Sequence, residues 1–178
     1  MFLLIMIGTI AQCQSKMVAV EQMNNAQSAL YSVAGVPDPS TTHEILFSIK
    51  QNNVEDLSNI LNMVSDPSSK YYGKFLTQQE IASMTANPDG TAAVKSFLMS
   101  NGVTDITESM NGELITARAP VSIWESILST KFSYYKPLSE SSGSGSVIRT
   151  NQYFLPEDIA PNIVSVWNTV QLPIMIHH

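Results

Sequence analysis

Between residues 43 and 50 the chain reads HEILFSIK, with Ile45, Phe47 and Ile49 alternating against Glu44, Ser48 and Lys50. That period of two predicts a half-buried β-strand. The pattern then changes to a helical one: Val54, Leu57, Ile60, Leu61 and Val64 recur at spacings of three and four, after Asn52 or Asn53 as an N-cap. Thr77 followed by Glu80 forms a capping box and opens a short helix. PDGTAAVKSFLMSNG, residues 88–102, predicts a further helix with Val94, Phe97 and Leu98 buried and Gly102 as its stop. Residues 103–119 carry two β-rich runs around Asn111-Gly112, a strong hairpin signal. Pro120 sits in the first turn of another helix whose apolar face is Val121, Trp124, Ile127 and Leu128. The aromatic run KFSYYKPL, residues 131–138, reads as a fourth strand.

With the helical insert set aside, the order is β-α-β-β-α-β. This predicts an α+β ferredoxin-like plait, an antiparallel four-stranded sheet with helices on one face. Its other face would be free for a partner. Residues 14–42 are weakly patterned and read as a loose N-terminal extension. SESSGSGS, residues 139–146, reads as a flexible segment. After it, a short strand and a helix following Pro156 are expected. Residues 171–178 read as the start of a linker or tail.

Composition narrows the chemistry. A chain of 178 residues with 44% hydrophobic and 13% charged residues reads as one globular domain. Its net charge of −6, with no cluster of Lys and Arg, argues against nucleic acid as a partner. The apolar start, MFLLIMIGTIAQC, reads as a signal peptide over residues 1–13, with Ala11 and Cys13 at the −3 and −1 positions and cleavage between Cys13 and Gln14. It is shorter than the roughly 20 residues of a membrane span, so no membrane association is expected after its removal. That removal also takes the chain's one cysteine, and with it any disulfide or thiol chemistry.

No catalytic constellation emerges. His43 begins a strand on the face of Ile45 and Phe47 and reads as a hydrogen-bonded structural histidine. His177 and His178 lie at the end of the sequence. No Gly-x-Ser-x-Gly elbow presents a nucleophile. Glu55-Asp56 and Glu157-Asp158 are adjacent pairs that diverge on a helix and read as solvated. No cofactor and no metal site is expected, and the chain as it stands reads as no enzyme.

One block is distinctive. Leu57, Val64, Ser65, Asp66, Pro67, Ser69, Tyr72, Gly73, Lys74, Leu76, Thr77, Glu80 and Ile81 reproduce a pattern written L…vSDP.S..YGk.Lt..Ei. It resembles the activation prodomain of the sedolisin family of serine-carboxyl peptidases, the family of kumamolisin and tripeptidyl peptidase I. Weaker matches follow in order: the Val94–Gly102 helix, the hairpin, the Trp124 helix, and YFLPEDIAPNIVSV at residues 153–166. The resemblance covers residues 43–170 and implies a ferredoxin-like plait.

The resemblance also implies a function. The domain would help a subtilisin-like catalytic domain to fold and would inhibit it until acid releases it. The partner is then a cognate sedolisin-type catalytic domain, in cis or in trans. The place is the secretory pathway, in a lysosome-like acidic compartment or outside the cell. The family's Glu, Asp and Ser catalytic residues and its calcium site have no counterparts in these 178 residues, so none is carried over. A free-standing protease inhibitor and an unrelated plait-fold binding module are the alternatives. Within the block, Asp66-Pro67 is expected to start a turn, Gly73 to allow a tight bend and the tyrosines to pack. The block is then a structural corner, with direct protease contact by Tyr71 and Tyr72 as the other role.

Overall fold

The run predicted as the first strong strand is the centre of the principal sheet. The computed structural model describes residues 15–138 and 145–173. In it, β3 (Thr42–Ile49) pairs antiparallel with β5 (Leu114–Pro120) on one side and β9 (Ile163–Trp167) on the other, and β4 (Asp105–Glu108) extends the sheet beyond β5. The order β4-β5-β3-β9, wholly antiparallel, is compatible with the ferredoxin-like plait. Ile45, Phe47 and Ile49 point to the buried side, together with Ile115, Ala117 and Ala119.

Helices cover that side. α4 (Pro88–Ser100) buries Val94 and Leu98, and α5 (Val121–Ile127) buries Val121, Trp124 and Ile127. The rings of Phe47 and Trp124 meet at 6.1 Å, and the indole Nε1 donates to the carbonyl of His43 at 2.9 Å. α4 ends as its pattern predicts: Gly102 takes φ +86°, and the Val103 amide returns to the Leu98 carbonyl at 3.1 Å. Pro120 falls one position earlier than expected, at the N-cap of α5, because it is still the last residue of β5.

Three expectations are corrected. Residues 15–42, expected as part of a loose extension over 14–42, are ordered by pairing: β1 (Met17–Gln22) pairs with β8 (Gln152–Pro156), and β2 (Tyr31–Gly35) pairs with β6 (Ser133–Pro137), with the short helix α1 (Asn25–Ser28) between them. Their side chains are mostly half-buried or exposed, so backbone ladders hold them with little apolar periodicity for the sequence to display. β6 is not the fourth plait strand. It lies between β2 and β7 (Val147–Arg149) in a separate three-stranded sheet. The fourth strand is β9, where a helix had been expected after Pro156. A bulge places Val164 outside the ladder, so Ile163 and Val166 are both buried three residues apart. That spacing imitates a helix. Glu157 and Asp158 accordingly lie in a turn, ahead of the 3₁₀ turn Ala160–Asn162.

The expected cleavage site at Cys13 and Gln14, the signal segment, His177 and His178, and residues 139–144 and 174–178 lie outside the described residues. Among the described residues, no helix is long and apolar enough to cross a membrane.

Candidate functional site

The sheet has a second face. Side chains that alternate with the buried row form lateral rows across the strands: Thr107, Thr116, Leu46 and Trp167 in one, and Asp105, Arg118 and Glu44 in the next. Leu46, Thr116 and Glu44 are half-buried, and Trp167 is 48% exposed. Arg118 Nε donates to Glu44 Oε2 at 2.8 Å across the strands. The central row thus pairs two threonines with apolar Leu46 and Trp167, and the next row carries charge.

α2 (Val54–Ser65) prolongs this surface. A cleft of about 710 Å³ joins Ser48 and Val164 of the sheet to Val54, Glu55 and Asp56 in the first turn of the helix. The helix has the expected apolar stripe but covers it only in part: Val64 is buried, Leu57 and Ile60 are half-buried, and Val54 and Leu61 are exposed. Met63, Tyr72, Phe75 and Ile81 continue the exposed apolar series through the corner into α3 (Gln78–Thr85). Contiguous exposed apolar side chains are a feature of interaction surfaces. Asn53 takes the N-cap position at φ +53° without a capping bond. Its side chain donates instead to the Met84 carbonyl at 2.9 Å, tying the start of α2 to the end of α3.

The corner between the two helices is built from short-range polar contacts. Ser65 ends α2, and Asp66 follows with its carboxylate accepting from the Ser68 amide and hydroxyl, both at 2.8 Å. Those two bonds hold the Asp66 carboxyl below the usual range. After exposed Pro67, the Ser69 amide closes on the Asp66 carbonyl at 3.0 Å, and the Ser69 hydroxyl accepts from the Tyr71 amide at 3.1 Å. Gly73 takes φ +76°, which brings its amide back to the Val64 carbonyl at 2.9 Å. Leu76 is half-buried. Thr77 then caps α3, accepting from the Glu80 amide at 3.3 Å while Glu80 Oε2 accepts from the Thr77 amide at 2.7 Å.

The capping box and the two turns are as the sequence implied; the tyrosines differ. Tyr72 is 57% exposed and Tyr71 41%, and the Nζ atoms of Lys70 and Lys74 lie 5.0 and 5.6 Å from the Tyr71 ring centre. Neither tyrosine is part of the buried core. No side chain would clash at position 73, but the left-handed backbone there disfavours any Cβ. Gly73→Ala should therefore cost about 1 kcal/mol. Thermal unfolding should register this as a fall in Tm of a few degrees.

Among the described residues no group of histidine, cysteine and carboxylate side chains could hold a metal. His43 is half-buried, and its Nε2 lies 2.9 Å from the Asn168 carbonyl. Sequence reasoning missed Trp167 and Val164, although the β-branched run IVSVW was a strand signal that could have found them.

With this geometry in place, comparison with known proteins is informative. The family described as "Pro-kumamolisin, activation domain" matches residues 30–172. Tripeptidyl-peptidase sed4 of Aspergillus fumigatus is 31% identical over 139 residues, covering 76% of this chain and 22% of that protein. Tripeptidyl-peptidase 1 of Homo sapiens is 28% identical over 141 residues, covering 78% and 25%. Tripeptidyl-peptidase 1 of Dictyostelium discoideum is 26% identical over 133 residues, covering 74% and 22%. The chain thus spans no more than a quarter of the length of these relatives.

Proposed function

We propose, from the premise that the chain belongs to the pro-kumamolisin activation-domain family, that it is the prodomain of an acid-activated sedolisin-type serine peptidase. It aids the folding of the catalytic domain and inhibits it until acid releases it. The observation that supports this reading is the uncovered sheet face, apolar at Leu46 and Trp167 and continued by the exposed Val54, Leu61 and Met63 of α2. Such a surface, left in water, needs a large complementary partner. The cognate catalytic domain, joined in cis within a precursor, is that partner, and the Ser65–Thr77 corner forms one end of the contact. A free chain of the same fold would dock in trans on the same face. The pathway is secretory, ending in an acidic lysosome-like compartment or outside the cell.

Docking would place a charged rim against the enzyme. Glu55 and Asp56 flank the cleft and Asp105 stands at the sheet edge. Acid weakens the attraction of such a rim for cations of the enzyme. The test is binding of the full chain to mature tripeptidyl-peptidase sed4 of Aspergillus fumigatus, immobilised at pH 7 and at pH 4. Affinity at least tenfold weaker at pH 4 is expected. Equal affinity at both values, or no binding at either, would overturn the reading.

A further inference from the structure

Glu113 stands where the hairpin turn enters β5, and its backbone is fixed on both sides. Its carbonyl accepts from the Ile49 amide of β3 at 2.8 Å. The preceding Gly112 takes φ +73°, and its carbonyl accepts from the Thr91 hydroxyl of α4 at 2.9 Å. The Glu113 side chain is half-buried and lines the cleft between the sheet and α2, together with a smaller neighbouring cleft of about 270 Å³. Its Oε2 is buried without a hydrogen-bond partner, the one such side-chain atom among the described residues. We propose that Glu113 anchors a receptor cleft for a basic side chain of the protein that docks on the open sheet face.

A buried acceptor without a donor is costly, because it has given up water and gained nothing in return. Folded proteins keep few such atoms, and one beside a cleft points to a group that the free chain lacks. The lining narrows the chemistry of that group. Glu55 and Asp56, exposed in the first turn of α2, line the same cleft as Glu113. Lys50 is the lone cation in this lining and is ion-paired with none of the three. An anion would be repelled. The three carboxylates form no group that could hold a metal ion. An organic cation on a long stem fits both limits. Val54 and Val164, 49% and 64% exposed, give the cleft an apolar wall. A lysine or arginine side chain can cover that wall with its methylenes and carry its N–H donors to the carboxylates beyond. The last torsion of a glutamate side chain is soft, so the Glu113 carboxylate can turn to meet an entering head group.

The cleft lies within reach of the partner. Ser48 of β3 and Val164 of β9 form its border with the open face, so a protein that spans Leu46 and Trp167 extends over its mouth. Its use in docking rests on the prodomain reading, whereas its preference for a basic side chain is a property of the chain and is tested on it alone. The same geometry separates binding from folding. The Glu113 carboxylate makes no hydrogen bond through Oε2 in the free chain, so removing its charge should cost no stability. In the complex it has a partner to lose.

The experiment is an NMR titration of the full chain at pH 7 with acetyl-arginine amide and acetyl-lysine amide, whose ends are uncharged, and with acetyl-norleucine amide as the neutral control. Saturable shifts at Ser48, Val54, Glu113 and Val164 are expected with a basic probe and not with the control, and the tighter of the two basic probes names the side chain. Glu113→Gln keeps the shape and removes the charge. It should weaken the basic probe about tenfold, as for loss of a hydrogen bond to a charged group. Its Tm should equal or exceed that of the wild type. The same variant should bind mature tripeptidyl-peptidase sed4 about tenfold more weakly than the wild type does. Several outcomes would overturn the cleft: shifts scattered over the surface or absent, shifts that persist in Glu113→Gln, and undiminished binding of that variant to a peptidase that binds the wild type. So would a Tm lowered by several degrees, since Lys50 or a water would then already serve the carboxylate. Failure of the wild type to bind the peptidase would overturn the prodomain reading alone, because the titration needs no peptidase.

Discussion

Replacing Trp124 with alanine should remove a large share of the stability of this domain. Its side chain is fully buried, meets Phe47 across the sheet–helix interface and donates to the His43 carbonyl. Truncating a buried tryptophan costs about 3–5 kcal/mol, and the lost hydrogen bond adds about 0.5–1.5 kcal/mol. A domain of this kind has only about 5–15 kcal/mol in total. Urea unfolding should show a midpoint lower by about 2 M or more. Trp124→Phe keeps most of the apolar volume and loses the hydrogen bond, so it should cost about 1–3 kcal/mol, combining the lost bond with imperfect repacking. A loss below about 1 kcal/mol for the alanine variant would mean that α5 does not pack on β3 and β5 as described.

The second large effect concerns docking and should leave stability alone. Leu46→Glu combined with Trp167→Ala should weaken binding to mature tripeptidyl-peptidase sed4 about 100-fold at pH 7, as expected when central apolar anchors of an interface are removed. Both residues face the uncovered side of the sheet as lateral neighbours, with Trp167 48% exposed. Substitutions of exposed residues change stability by about 0.5 kcal/mol or less, and the half-buried Leu46 should cost only modestly more. Thermal unfolding should therefore shift by a few degrees at most. Met110→Glu is the control, since Met110 stands 98% exposed at the hairpin tip. Equal loss from the control, or full binding by the double variant, would place the contact elsewhere.

Much of the core was legible because its residues obey local geometry. Ile45, Phe47 and Ile49 alternate because a strand does, and Val94 with Leu98, and Val121 with Trp124, recur because a helix turns every 3.6 residues. The Thr77–Glu80 box and the stop at Gly102 are decided within a few residues, as is most of the Ser65–Thr77 corner. The block in that corner also disclosed the family, although it could not show that Tyr72 and Phe75 stand in water.

Periodicity reports an apolar face and is silent on what covers it. The stripe of α2 was visible in the sequence, but its exposure was not, since that depends on where α3 and the sheet leave the helix. β1 and β2 were missed because their ladders are backbone bonds to β8 and β6, about a hundred residues away or more. β9 was misread because a bulge at Val164 gives a strand the spacing of a helix. The sequence by itself determined the core rows of β3, α4 and α5, the cap of α3 and the stop of α4, since neighbouring backbone groups and local periodicity decide them. Tertiary structure alone decided that β9 rather than β6 completes the sheet, that Leu46 and Trp167 share its open face, and that His43 reaches Asn168. Each of those depends on pairing between distant segments, where competing partners of similar local character are separated only by the packing of the whole chain.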